Sequence, residues 1–480
     1  MAQGNGSRGP HILMVMLGAP GHSSPFIQLI YHLRHHKNVT VTVISGGPSL
    51  VHLSKLHERG DFYDVDLRIE SVFGPPPLYP QDPKFPARAA TASAQWQIEF
   101  EGVKKRLIQE KGSARAPTAI ISDLFVWWTK DTADELGIPW YTVSTTASWM
   151  TLSGFVSPLL RTRDLHPVLS GQKYEKLDMP GLFGYVYDLP AETLEWPEFY
   201  ANITHHSLRA TGLLFNSSLE LEGAAGSVQT VIELVEQRKK SDPGKPLENT
   251  KVFPIGPMAQ IPGYGELVKL GEQEEALKWL DTQEKGSVLY IAFGSLGNVV
   301  MEVVPQLALG FEESGVPFLW VLKVPPGKTV EDILPEGFQA RVQGRGFIET
   351  GWAPQSSVLL HPATGGFLSH AGWNSTLESL CAGVPMLTWP LSADQPMNAR
   401  FVTDFHKVGL PVGEGPSEDY STTVTKAGIS KAVKRLMVSE EGKEIRKNSL
   451  RVKELLHQTV SEGGSTYVAL RNFISELLTV

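Results

Sequence analysis

Short apolar runs alternate with amphipathic stretches along most of this chain, and Gly, Pro and Ser mark the junctions. That alternation restricts the fold more than any other feature. His11–Leu17 is apolar and is broken by Gly18-Ala19-Pro20-Gly21. Pro25–Leu33 follows as an expected helix, capped by Ser23 or Ser24 with Pro25 near its first turn. Val39–Ile44, Thr118–Ile121, Trp140–Val143 and Leu213–Asn216 read as further strands. Strands separated by helical stretches of about 10–15 residues imply right-handed βαβ units and a parallel sheet. Between Ser241 and Gly265 the prolines cluster, which is linker chemistry. The alternation then restarts at Ser287–Phe293 and continues through Phe318–Leu322, Gly346–Thr350, Phe367–Ser369 and Met386–Trp389. The expected fold class is α/β, with two facing doubly wound domains: residues 1–245, a linker at 246–262, a second domain at 263–460 and a final helical segment at 461–480.

With 41% hydrophobic and 20% charged residues, the chain can bury a sizeable core. Forty-three Lys+Arg against 51 Asp+Glu give a net charge of −8, so a nucleic-acid partner is not expected. No apolar run reaches the roughly 18 residues of a membrane span. Ile12–Leu17 is short for a signal-peptide core and no A-x-A-like site follows it. The single cysteine, Cys381, excludes an intrachain disulfide and a cysteine zinc cluster. A cytoplasmic monomer is expected. No G-x-G-x-x-G follows the first strand, and no P-loop or G-x-S-x-G elbow occurs, so a dehydrogenase, a P-loop nucleotidase and a serine hydrolase lack support. His32 with His36, and His205 with His206, read as solvated helix ends rather than metal ligands. N-x-S/T triplets, those at Asn38, Asn202, Asn216 and Asn374 among them, mean little without a secretory signal.

In such sheets ligands bind beyond the carboxyl ends of the strands, at the point where the strand order reverses. The loops after the strands therefore hold the candidates. Trp352–Gln395 concentrates aromatics, His370, Asn374, Ser375, Glu378, Asp394 and Gln395 among many glycines. Asn374 and Ser375 stand where a helix begins. Its first N–H groups are unpaired and carry partial positive charge, which suits a diphosphate. Glu378 lies further along that helix, where a carboxylate can accept two hydrogen bonds from a ribose diol. Taken singly, Asn374 or Ser375 would be an ordinary cap and Trp352 or Trp373 ordinary core packing.

The segment from WAPQ through H-x-GWNS, the glutamate and GVP to the closing DQ resembles the signature box of plant secondary-product UDP-glycosyltransferases, family 1, of inverting type. GAPGHSSP, ISD at Ile121–Asp123, FPIGP at Phe253–Pro257, YIAFGS at Tyr290–Ser295 and LPEGF at Leu334–Phe338 extend the resemblance over nearly the whole chain. One departure is Ala371, where the family has Cys; the position should face packing. The resemblance implies two facing Rossmann-like domains (the GT-B fold), with the last helix returning to the first domain. It implies that Trp352 stacks on uracil and that Ala353 contacts the base through its backbone. Gln355 and Glu378 would bind the ribose. His370, Asn374, Ser375 and Ser295 would hold the diphosphate. Trp373, Asp394 and Gln395 would bind the sugar, a closing Gln going with glucose. His22 would be the general base and Asp123 the group that orients it.

Aromatics in the first half, Phe125, Trp149 and Phe199 among them, favour a flat phenolic, flavonoid-like acceptor. The expected reaction moves glucose from UDP-glucose to that acceptor and gives a β-glucoside. It needs no cofactor, since the UDP-sugar is a co-substrate, and there is no D-x-D metal motif. A C-glycosyltransferase and a non-catalytic nucleotide-sugar-binding protein are the alternatives.

Overall fold

The structure is a computed structural model, and it describes residues 9–73, 85–152, 202–203, 205–223, 226–241, 250–259, 275–294, 301–391, 393–413 and 424–479. Two all-parallel sheets organise the described residues. The first runs in the order β3-β2-β1-β4-β5-β6-β7. Its strands are β1 (His11–Val15), β2 (Val39–Gly46), β3 (Val65–Phe73), β4 (Ala119–Asp123), β5 (Trp140–Ser144), β6 (Gly212–Phe215) and β7 (Lys251–Pro254). The second runs β10-β9-β8-β11-β12-β13. It is built from β8 (Val288–Ala292), β9 (Phe318–Val321), β10 (Gly346–Glu349), β11 (Thr364–Ser369), β12 (Met386–Thr388) and β13 (Gly409–Pro411).

The central strands β1, β4, β5, β8 and β11 are buried along their whole length. Helices cover both faces of such sheets, which is why these strands are near-continuous apolar runs. The strand order reverses between β1 and β4 in one sheet and between β8 and β11 in the other. Gly18–His22, Gly294 and His370 follow β1, β8 and β11, and Asp123 is the last residue of β4. The fold is thus α/β with two doubly wound Rossmann-like domains.

Three readings from sequence change. The first helix spans Pro20–Leu33, starting five residues earlier than expected, with Ala19 as its N-cap and no side-chain cap. Pro20 takes the first position, where a missing N–H costs nothing, and Pro25 lies inside the helix. His22 therefore sits in a helical first turn and not in a loop. The stretch read as a linker, 246–262, contains β7, which pairs in parallel with β6 and carries the first sheet to Pro254. β3, β7 and β13 were not expected as strands.

The last helix, Ser465–Leu478, lays Leu470, Phe473, Ile474 and Leu477 in the same apolar cluster as Tyr141 and Phe253 of the first sheet. Tyr141 Oη donates to Glu476 at 3.1 Å and Thr466 Oγ1 to the Gly256 carbonyl at 2.6 Å. No helix among the described residues is long and apolar enough to cross a membrane.

Candidate active site

β1 and β4 are neighbours in register, so the turn after one and the last residue of the other meet above the sheet edge. There His22 Nδ1 donates to Asp123 Oδ2 at 2.8 Å. Asp123 is fully buried, and its second oxygen accepts from the Phe125 N–H at 2.9 Å. The His22 side chain keeps 23% of its surface exposed. Burial alone would lower the His22 pKa. The Asp123 charge and hydrogen bond, with a further contribution from the Asp394 charge, outweigh burial and raise it above the ordinary 6.5. With Nδ1 held by the carboxylate, the neutral ring carries its lone pair on Nε2, the tautomer a general base needs.

Thr145 was missed in the sequence. It lies just past β5, the next strand along, and its hydroxyl is 2.9 Å from His22 Nδ1 and 3.3 Å from Asp123 Oδ2. The strand-end logic that found Asp123 also applies to it, but a lone Thr gives no chemical signal. Phe125 presents its ring to His22 in an edge arrangement at 5.4 Å. Trp149, expected to face an acceptor, is 2% exposed and belongs to the hydrophobic core instead. Phe199 and Ser295 lie outside the described residues.

Across from this edge, the helix Trp373–Ala382 starts after Gly372 and points its unpaired N–H groups at the end of β11. Gly372 is the N-cap, so Asn374 and Ser375 sit inside the first turn and are not the cap. The His370 ring lies between two glycines. A Cβ on Gly294 would stand 2.5 Å from His370 Cε1, and one on Gly372 would stand 2.5 Å from Nε2. Burial, with the Lys323 charge adding to it, lowers the His370 pKa to about 4. His370 is therefore neutral at pH 7 and can help a leaving diphosphate only as a hydrogen-bond donor. Among the described residues its buried Nδ1 has no hydrogen-bond partner. Ala371 is fully buried, as packing requires, at φ 60°.

Gln355, Ser356, Ser375 and Glu378 form one polar cluster. Gln355 Nε2 donates to Glu378 at 2.5 Å and to Ser375 Oγ at 3.0 Å, and Ser356 Oγ donates to Glu378 at 3.1 Å. Burial raises the Glu378 pKa against the two hydrogen bonds that lower it. Trp352 stands beside this cluster in sequence and is 58% exposed, which leaves an aromatic face open to a base. Ala353 is buried.

The sugar-binding expectation divides. Asp394 accepts from Asn398 Nδ2 at 3.0 Å, and burial raises its pKa. Gln395 Oε1 accepts from the Leu391 N–H at 2.8 Å, which orients the amide. Trp373 is a correction. Its indole is 4% exposed, packs edge-on against Phe401, and spends its N–H on the Asn216 carbonyl at 2.8 Å. Only the main chain of Trp373, at the first helical position, is left for a ligand. Among the described residues no group of His, Cys, Asp and Glu could hold a metal ion.

The two edges face each other. The Asp394 charge acts on His22, and Asn374 Nδ2 donates to the Gly21 carbonyl at 2.5 Å. A buried His–Asp pair on one sheet facing a helix N-terminus on the other is an arrangement that suits group transfer from a nucleotide sugar. A family of matching sequences supports this. Residues 269–460 match the family described as UDP-glucoronosyl and UDP-glucosyl transferase. UDP-glycosyltransferase 72B1 of Arabidopsis thaliana is 33% identical, over 97% of this chain and 95% of its own. Scopoletin glucosyltransferase of Nicotiana tabacum is 30% identical, over 98% of each chain. The solved structure of Phytolacca americana UGT2, complexed with UDP-2fluoro-glucose and pterostilbene, matches with a TM-score of 0.78 at 28% identity, over 98% of this chain and 99% of that one. The chain belongs to the plant family 1 UDP-glycosyltransferases and is a glycosyltransferase acting on small molecules.

Proposed function

We propose that this enzyme moves glucose from UDP-glucose to a phenolic acceptor, flavonoid-like in shape, and gives the β-glucoside with inversion. The observation that carries the reading is the His22–Asp123 pair facing the Trp373–Ala382 helix terminus. His22 Nε2 takes the phenol proton. The phenolate oxygen attacks the anomeric carbon from the side opposite UDP, the bond to UDP breaks, and the diphosphate leaves with the electron pair. Asp123 stabilises the imidazolium formed in the process. The helix N–H groups, the Asn374 amide and neutral His370 meet the charge growing on the diphosphate. Trp352 holds the uracil, Gln355 and Glu378 the ribose, and Asp394 and Gln395 the sugar. Ser295 is assigned to the diphosphate and Phe125 and Phe199 to the acceptor by sequence position. Gln395 supports glucose, and a relative named for scopoletin and one solved with pterostilbene support a phenolic acceptor. No metal or cofactor enters this scheme.

A panel of phenols incubated with UDP-glucose and read by mass spectrometry tests it. The expected result is a hexose adduct with release of UDP, broken down by acid. An acid-stable adduct would show a C–C bond instead, and no UDP release from any phenol would contradict the reading.

A further inference from the structure

We propose that Asn216 is a positioning residue for the nucleotide-sugar site, because it fixes which way the Asn374 amide faces. The inference rests on the reading above that Asn374 meets the diphosphate.

A side-chain amide has nearly the same shape when its oxygen and nitrogen are exchanged, so only its hydrogen-bond partners fix its orientation. Here the partners form a chain with main-chain groups at both ends. The Met258 N–H, which can only donate, donates to Asn216 Oδ1 at 2.6 Å. The Asn216 NH₂ group is thereby turned toward Asn374 and donates to its Oδ1 at 3.1 Å. That turns the Asn374 NH₂ group toward the Gly21 carbonyl, which can only accept, at 2.5 Å. Fixed polarity at both ends allows the chain to be satisfied in one sense only.

Asn216 is held firmly enough to serve this purpose. It follows β6, is fully buried, and its carbonyl accepts the Trp373 indole N–H at 2.8 Å. Gly256 backs it so closely that a Cβ there would fall 2.2 Å from Ser217 N and 2.3 Å from the Asn216 carbonyl carbon. The far end has a local cause as well. The helical partner of the Gly21 carbonyl would be the N–H of residue 25, and Pro25, inside the Pro20–Leu33 helix, has none. The freed carbonyl is the one Asn374 reaches, and it belongs to the residue before His22. One N–H of Asn374 thus ties the donor helix to the turn carrying the base, and the other remains for a phosphate oxygen. Turned over, Asn374 would place Oδ1 against a carbonyl and an anion.

The test measures UDP affinity by calorimetry for the full-length wild type, Asn216→Ala, Asn374→Ala and the double variant, with thermal unfolding of each. Both single variants should weaken UDP binding by about tenfold, and in the Asn374→Ala background the second substitution should cost less than about threefold. Losses that simply multiply would overturn the inference while leaving the donor site standing. Wild type that binds no UDP would overturn the donor site as well. If Asn216→Ala does not fold, Pro25→Ala decides from the other end. It adds a helical N–H that competes for the Gly21 carbonyl and removes a helix breaker. UDP should then bind at least about threefold more weakly with an unfolding midpoint unchanged or higher. Unchanged UDP affinity in a folded Pro25→Ala would overturn the inference.

Discussion

Replacing Asp123 with Asn removes one charge and keeps the shape of a fully buried side chain. In the native site that charge lies 2.8 Å from His22 Nδ1 and outweighs the burial that would otherwise lower the imidazole pKa. Two unit charges about 4 Å apart at an effective dielectric of about 20 interact by roughly 4 kcal/mol. Mispairing of the His tautomer acts in the same direction, and loss of a well-set general base costs about 10²–10⁴ in rate, or about 3–5 kcal/mol. Asp123→Asn should therefore lower kcat/KM for the phenol by at least about a hundredfold. The pH dependence has a definite sign. His22 must be neutral to accept a proton, so wild-type activity rises with pH through a midpoint above 6.5. Without the carboxylate, burial governs and the residual activity should rise at a lower pH. The assay is kcat/KM for one accepted phenol from pH 5 to 9, with unfolding followed in parallel. A variant within about twofold of wild type, or one whose midpoint moves upward, would refute the pairing.

Two further substitutions probe the other half. Trp352→Ala should leave the unfolding midpoint in place, because the side chain is 58% exposed, and should weaken UDP binding by roughly 1–3 kcal/mol in a titration. Gly294→Ala puts a Cβ 2.5 Å from His370 at a φ of +71° and should lower both UDP affinity and the unfolding midpoint, whereas an effect on neither would show that the His370 cradle is not rigid.

The sequence carried much of this arrangement because its chemistry is local. Central strands are buried on both faces and so are written as unbroken apolar runs, and their ends are punctuated by Gly, Ser or Asp. β3 escaped because it is an edge strand whose Asp66, Arg68 and Glu70 alternate with Leu67 and Ile69, a pattern with no continuous run. β7 escaped because prolines crowd around it, and an edge strand tolerates the proline that ends it. Proline also misplaced the first helix, since Pro25 looked like a start and is in fact interior. At the site, His22, Asp123 and the Trp352–Gln395 segment were legible because each sits at a strand end or in a dense motif. The rest depends on contacts between distant residues. Nothing in the local sequence of Thr145 shows that it reaches His22, and nothing in that of Asn216 shows that it reaches Asn374. The burial of Trp373 and Trp149 is likewise set by their neighbours and not by their own motifs.

If His22 is the base, its loss should stop turnover and leave the donor site able to bind UDP. The experiment is His22→Ala, assayed for glycoside formation with an accepted phenol beside a UDP binding titration. Turnover should fall by at least about a thousandfold while UDP affinity stays within about threefold of wild type. Full turnover in the variant would contradict the assignment of His22 as the base.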